Sequence, residues 1–347
     1  MTITQPRPAA EAPLEHHSRT DEPAVAFFGV WMMTGLFIDG WAHQANKPET
    51  FFSPWHGILY SGFVAAVIWF GWRGLRAGRG INPAAGLERL TTVGFLLFGG
   101  AGIADGIWHQ IFGVEADLEA LVSPSHLALF FGGFLMVSSP LRMAQARRAA
   151  SGNERPAMRW ADWFPQAITL TLSTALVGFF TLYLSPFDGI GGFHHPNPEM
   201  RELEEALGIA SVLVFNAFLT IALLFALRRW RPPFGFGALL FGGVALGMAG
   251  LEGFAFVELA IPAFIAGIVV DVMARRDYPV GAVVATGSWV LWSGFFAVAQ
   301  LSYGLVWTVE LWAGSIALAG ASSLLLTALT PSPPYCREIS ATTTLTA

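Results

Sequence analysis

Residues 24–44 read AVAFFGVWMMTGLFIDGWAHQ, and residues 54–75 read PWHGILYSGFVAAVIWFGWRGL. Each run is apolar over the length that carries an α-helix across a hydrocarbon core of about 30 Å. Similar runs recur at 89–112, 124–146, 162–185, 206–228, 234–252, 255–274, 280–304 and 309–330. The sequence therefore predicts an all-α, polytopic transmembrane helical bundle of about ten helices. Composition agrees, because 347 residues that are 54% hydrophobic and only 12% charged are too apolar for a water-soluble domain. The short alternating strands of an outer-membrane barrel do not stand out. Four regions are expected: a disordered tail at 1–23, two hairpins at 24–148, the remaining bundle at 149–330, and a second disordered tail at 331–347.

Charge placement orients the bundle. Of the 19 Lys and Arg, only Lys47 and Arg201 fall in the odd-numbered loops. The positive-inside rule then puts both termini in the cytoplasm and makes the chain a multi-pass protein of the inner (plasma) membrane, with the lipid bilayer as its solvent. Groups such as Arg73, Arg76, Arg79 and Arg89 are read as topology signals and not as a nucleic-acid surface. Residues 1–23 lack the apolar core of a cleavable signal peptide, so the first span is expected to target the chain. Cys336 is the single cysteine, which leaves neither a disulfide framework nor a thiolate metal site. Histidines and acids show the opposite bias from the arginines: His43, His56, His109, His126, His194 and His195 fall at outer helix ends, with Glu252 and Glu258 on the same side.

The first two hairpins resemble each other. Asp39-Gly-Trp-Ala-His43, Glu49 and Ser53-Pro54-Trp55-His56 are matched by Asp105-Gly-Ile-Trp-His109, Glu119 and Ser123-Pro124-Ser125-His126. The Asp-Gly-x-x-His part recurs at an offset of 66 and the rest, including Leu59/Leu129 and Gly62/Gly132, at an offset of 70, so the second loop is four residues longer. Ligand-type residues reappear while most neighbours differ, which identifies an internal repeat.

Residues four apart share a helix face, so Asp39 and His43 present a carboxylate and an imidazole side by side on the last turn of the first span. Ser-Pro-x-His is a helix-start pattern, with Ser53 as N-cap and Pro54 at the first helical position. His56 then lies in the first turn of the second span, at the depth of His43. A helix N-terminus disfavours imidazolium and keeps His56 able to coordinate. Glu49 could close the site or handle protons there. The same reasoning groups Asp105, His109 and His126, with Glu119 above them. Two imidazoles and a carboxylate without sulfur suit copper or iron, and by ligand type also zinc or manganese. The residues leave open whether the halves hold two mononuclear sites or one dinuclear site.

The pattern Asp39-x3-His43-x12-His56 resembles the metal site in the C subunit of particulate methane and ammonia monooxygenases. That resemblance implies Asp39, His43 and His56 as three metal ligands and a copper-dependent membrane enzyme that hydroxylates small substrates with dioxygen.

The leading expectation is an integral membrane metal-binding oxidoreductase, monooxygenase-like, acting at the extracytoplasmic face. Asp39, His43, His56, Asp105, His109 and His126 would be its ligands, and Glu49 and Glu119 its proton-handling groups. A redox partner subunit, in the membrane or outside it, would supply electrons. The alternatives are a metal or haem delivery or transport protein without catalysis, a haem protein with paired histidine ligands, and a structural subunit whose outer acids and histidines bind a partner.

Overall fold

The computed structural model describes residues 21–48, 50, 52–76, 78, 89–113, 117–151, 155–189, 193 and 199–330. Among these the helices are α1 Asp21–Gln44, α2 Pro54–Arg76, α3 Arg89–Phe112, α4 Asp117–Val122, α5 Pro124–Val137, α6 Ser139–Ser151 and α7 Trp160–Phe180, followed by α8 Arg201–Leu227, α9 Phe236–Leu251, α10 Ile261–Arg275, α11 Val280–Ser302 and α12 Val309–Leu329. No named strand occurs among the described residues. The chain is an all-α helical bundle.

Eight segments are long and apolar enough to cross a bilayer: α1, α2, α3, α7, α8, α11, α12, and Val257–Arg275, where a 3-10 turn runs into α10. Two expected spans take another form. The run 124–146 is divided into α5 and α6, which bend by 42° at Ser138. Pro140 is the physical reason, since it brings no N–H to the helix ladder and its ring collides with the preceding turn. The Ser138 amide ends α5 on the Phe134 carbonyl. The run 234–252 becomes the 16-residue α9. Asp271 of α10 fixes where α9 begins, because its carboxylate accepts from the amides of Gly235 (2.9 Å) and Gly237 (2.8 Å), two of the donors a helix start leaves unpaired.

Apolar stripes show which faces meet lipid. On α3, Phe95, Phe98 and Asp105 are buried, whereas Leu96 is 72% and Ile103 70% exposed, with Ile107 and Ile111 beside them. A continuous apolar stripe of this size is costly in water and neutral in a bilayer. This is a multi-pass membrane protein.

α1 packs on α2 and α3 on α5, and between the two pairs lies a core that includes Met32, Leu59, Phe98 and Leu129. A larger core joins α7 to α12. Two close approaches set the hairpin geometry: a Cβ on Gly35 would sit 2.4 Å from the Leu59 backbone nitrogen, and one on Gly132 2.6 Å from that of Phe98. At one end of the bundle Arg73 pairs with Asp21 at 2.5 Å, and the buried Glu22 binds both Arg147 and Gln166. The start of α1, the end of α2, the end of α6 and the start of α7 therefore share that end. The His- and Asp-bearing ends of α1, α2, α3 and α5 lie at the other.

Candidate metal centre

The chain ends α1 and α3 in the same way. Asn46 (φ 49°) and Gly113 (φ 86°) adopt the left-handed conformation that stops a helix and turns the chain back over its last turn. His43 and His109 sit on those last turns, one helical turn after Asp39 and Asp105. α2 and α5 begin at Pro54 and Pro124, the first helical positions, so His56 and His126 fall in first turns as predicted. Ser123 caps α5 by accepting from the His126 amide at 3.4 Å. The Ser53 hydroxyl instead accepts from the Thr50 amide at 2.9 Å and organises the loop before α2.

These elements bring six predicted ligands into two trios, Asp39/His43/His56 and Asp105/His109/His126, each with one ligand atom per residue and all three atoms within 4.8 Å of one another. In the first trio His56 Nε2 is 3.2 Å from Asp39 Oδ1. In the second, Asp105 Oδ1 is 3.2 Å from His126 Nε2 and its Oδ2 is 3.5 Å from His109 Nε2. The imidazole pairs match as well, with ring centroids 6.4 Å apart for His43 and His56 and 5.8 Å for His109 and His126.

The opposite edge of each ring decides what these short distances mean. His56 Nδ1 lies 3.3 Å from the Thr50 carbonyl and His109 Nδ1 3.1 Å from the Gly113 carbonyl. A carbonyl oxygen only accepts, so each Nδ1 is the donor; a neutral ring then carries its lone pair on Nε2, whereas an imidazolium donates from both nitrogens. That lone pair faces a carboxylate oxygen. Asp39 Oδ1 and Asp105 Oδ1 are both buried and accept no hydrogen bond. A neutral Nε2 and a carboxylate oxygen held together away from water need a positive charge between them, which a metal ion or a ring proton supplies. Ligands about 2.0–2.2 Å from a tetrahedral ion stand about 3.3 Å from each other, close to the separations here. Each trio could hold a metal ion.

Both trios open on one cavity of about 660 Å³, lined by Asp39, His43 and His56 from the first and Asp105 and His126 from the second. His43 is within electrostatic reach of His109 and His126 across it. Three features of this arrangement are absent from the sequence reading: the cavity itself, the carbonyls of Thr50 and Gly113, and Tyr60, whose ring lines the cavity and packs against Gly102. The Ser-Pro-x-His pattern does signal a fourth, since the Ser123 hydroxyl lies 2.9 Å from His126 Nδ1.

The other expected groups are placed differently. Glu119 is exposed on α4 and is not part of the second trio. Glu49, His194 and His195 lie outside the described residues. Asp188, an acid in the segment after α7 with no role read from the sequence, is buried away from the cavity. Its burial pushes the carboxyl up to about 8, and the charge of Glu252 adds to the rise against hydrogen bonds from its own backbone and Ser185. Glu258 accepts a hydrogen bond from the Tyr303 hydroxyl. Neither Asp188, Glu252 nor Glu258 lines the cavity.

No protein-family model, curated protein or solved structure matches the chain.

Proposed function

We propose that the chain is an integral membrane metalloprotein that holds one transition-metal ion in Asp39/His43/His56 and a second in Asp105/His109/His126, on hairpins 24–148 that are copies of one unit. The observation that carries this reading is the apposition, at 3.2 Å in each trio, of a His Nε2 and a buried carboxylate oxygen that accepts no hydrogen bond, His56 with Asp39 Oδ1 and His126 with Asp105 Oδ1, with Nδ1 of both rings fastened from behind. Fastening of that kind sets the tautomer and aims the ligand nitrogen. The positive-inside rule puts the trios at the extracytoplasmic face of the plasma membrane, with both termini cytoplasmic.

Two imidazoles and one carboxylate leave coordination positions open, which suits copper or iron in redox or oxygenase-type chemistry. Such an ion would supply electron transfer and activation of a bound small molecule. The protein's own contribution is to orient the ligands, exclude water through the apolar cavity walls, and pass protons to solvent. Glu119, exposed on α4, and Glu49, in the first loop, are assigned that last task. The electrons would come from a partner subunit, and the short motif shared with the C subunit of particulate monooxygenases points to the same class.

Elemental analysis with optical and paramagnetic resonance spectra on one purified sample tests the proposal. Two equivalents of copper or iron per chain are expected, without the Soret band of haem, because each carboxylate stands beside Nε2 where a porphyrin would need room. Protein with no stoichiometric metal, or with metal that survives replacement of all six ligands by Ala, would refute it. Position at helix ends on a shared cavity also favours a second reading, metal delivery without catalysis. In that case the bound ions transfer to a competing chelator within minutes and show no turnover with dioxygen and a reductant.

A further inference from the structure

The cavity is longer than two metal ions require. It follows α1 from His43 to Met32 and α5 from His126 to Val137. Eleven residues of helix correspond to about 16 Å. Its two ends differ in chemistry. At the outer end stand the trios with Lys47, Asn46 and Gln44. Inward of the trios the walls are Leu, Met, Phe and Val side chains, and the Tyr60 hydroxyl is the one polar side-chain group among the described lining residues there. A volume of about 660 Å³ lies within the usual range for small-molecule sites, and a mostly apolar wall with a few convergent polar groups is their usual composition.

Charge narrows the class of occupant. Asp39 and Asp105 are the acids that line the cavity. A divalent ion with one carboxylate and two neutral imidazoles keeps a net charge of about +1. Two such centres and Lys47 make the outer end cationic, while the inner end is apolar.

We infer that this cavity binds an anionic amphiphile, a molecule with a carboxylate-type head and one apolar chain, with the head between the two trios and the chain directed toward the bilayer centre. The inference rests on the metal reading above for the charge of the head site, and on the cavity walls alone for the chain. It makes the substrate, or a tightly held effector, a lipid-like acid drawn from the membrane.

The test is equilibrium binding of radiolabelled hexadecanoate to the full-length, metal-loaded protein in lipid nanodiscs, with protein-free nanodiscs as the blank. Hexadecylamine and hexadecanol serve as matched chains, and metal is counted on the same samples. Saturable binding of one hexadecanoate per chain is expected, with hexadecylamine at least about tenfold weaker. Gly133 lines the inner end, and a Cβ there meets only ordinary contacts, the nearest at 3.7 Å. Gly133→Leu should project into the chain site and abolish hexadecanoate binding while both ions stay. Lys47→Glu, on an exposed position, carries little folding risk and should weaken hexadecanoate several-fold while leaving hexadecanol unchanged. Protein with two ions but no saturable hexadecanoate overturns this inference and leaves the metal centres standing. So does equal affinity for the acid and the amine, or full binding by metal-replete Gly133→Leu. Saturable binding by a protein that takes up no metal refutes the metal reading and, with it, the assignment of an anionic head.

Discussion

The two hairpins carry the same three ligand types at the same helix ends but support them differently. In the first, the loop from α1 to α2 is short, and its Thr50 carbonyl holds His56 from behind. In the second, four extra residues and the helix α4 intervene, and support comes from the Gly113 carbonyl behind His109 and the Ser123 hydroxyl beside His126. The equivalent separation does not change, at 3.2 Å for both His56–Asp39 and His126–Asp105. Ligands rooted on helix ends are thus insulated from loop length. What the loop does change is the outer contacts, and these tune ligand basicity and affinity.

Removing a ligand gives the largest effect. Asp39→Ala should take the metal content from two ions to one by emptying the first trio, and Asp105→Ala should do the same for the second. Elemental analysis of each variant, and of the double variant with no ion left, checks this. If either single substitution removes both ions, the trios form one dinuclear site and the hairpins are not independent.

Outer contacts come next. Ser123→Ala should weaken the second site about 10–100-fold, the usual cost of losing an outer-shell partner, and leave the first untouched. It also removes the α5 cap, worth about 1 kcal/mol. Ser53→Ala should have a smaller effect on metal, because the Ser53 hydroxyl holds the Thr50 amide and not the imidazole. Competition titrations with a chelator compare the two.

Packing substitutions should act through stability. Gly35→Ala and Gly132→Ala each force a methyl against a neighbouring backbone, at 2.4 and 2.6 Å, and overpacking of this kind costs about 1–3 kcal/mol. Gly100→Ala, with nothing within 4 Å, is the matched control. Thermal unfolding in detergent should rank both crossing-point variants below the control.

The effect furthest from the metal content contrasts the hairpins with the rest of the bundle. Asp188 holds its proton up to about pH 8 in the folded chain, against an ordinary value of 3.8. Between those values the folded state binds more protons than the unfolded one, so stability falls as pH rises from about 4 to about 8 and is level above that. Asp188→Asn should flatten this slope, measured as the midpoint of thermal unfolding against pH, without altering metal content.

Much of this architecture is legible in the chain. The run 89–112 coincides with α3, and 54–75 with α2 to within a residue, because lipid-length apolar runs between charged or turn-forming residues have one inexpensive conformation. The trios are legible for a related reason: i, i+4 spacing at a helix end and a Ser-Pro-x-His start both fix side-chain direction locally. Pro140 carries the signal for the break between α5 and α6, but the apolar run continues through it and masks the bend. Other features belong to no local pattern. The carbonyls behind His56 and His109 are backbone atoms aimed by the turns at Asn46 and Gly113 and by the loop before α2. The cavity exists because α1, α2, α3, α5 and α7 come together around a space that the core residues between the two pairs border but do not fill.

The placement of each trio within a single hairpin has a mechanical consequence. All three residues of the first trio lie on α1 and α2 and all three of the second on α3 and α5, so ions bound as proposed would sit on separate helix pairs, like the jaws of a caliper. A change in tilt between the pairs would then alter the distance between the ions while leaving each trio together, so that spacing would follow how far the gap has opened.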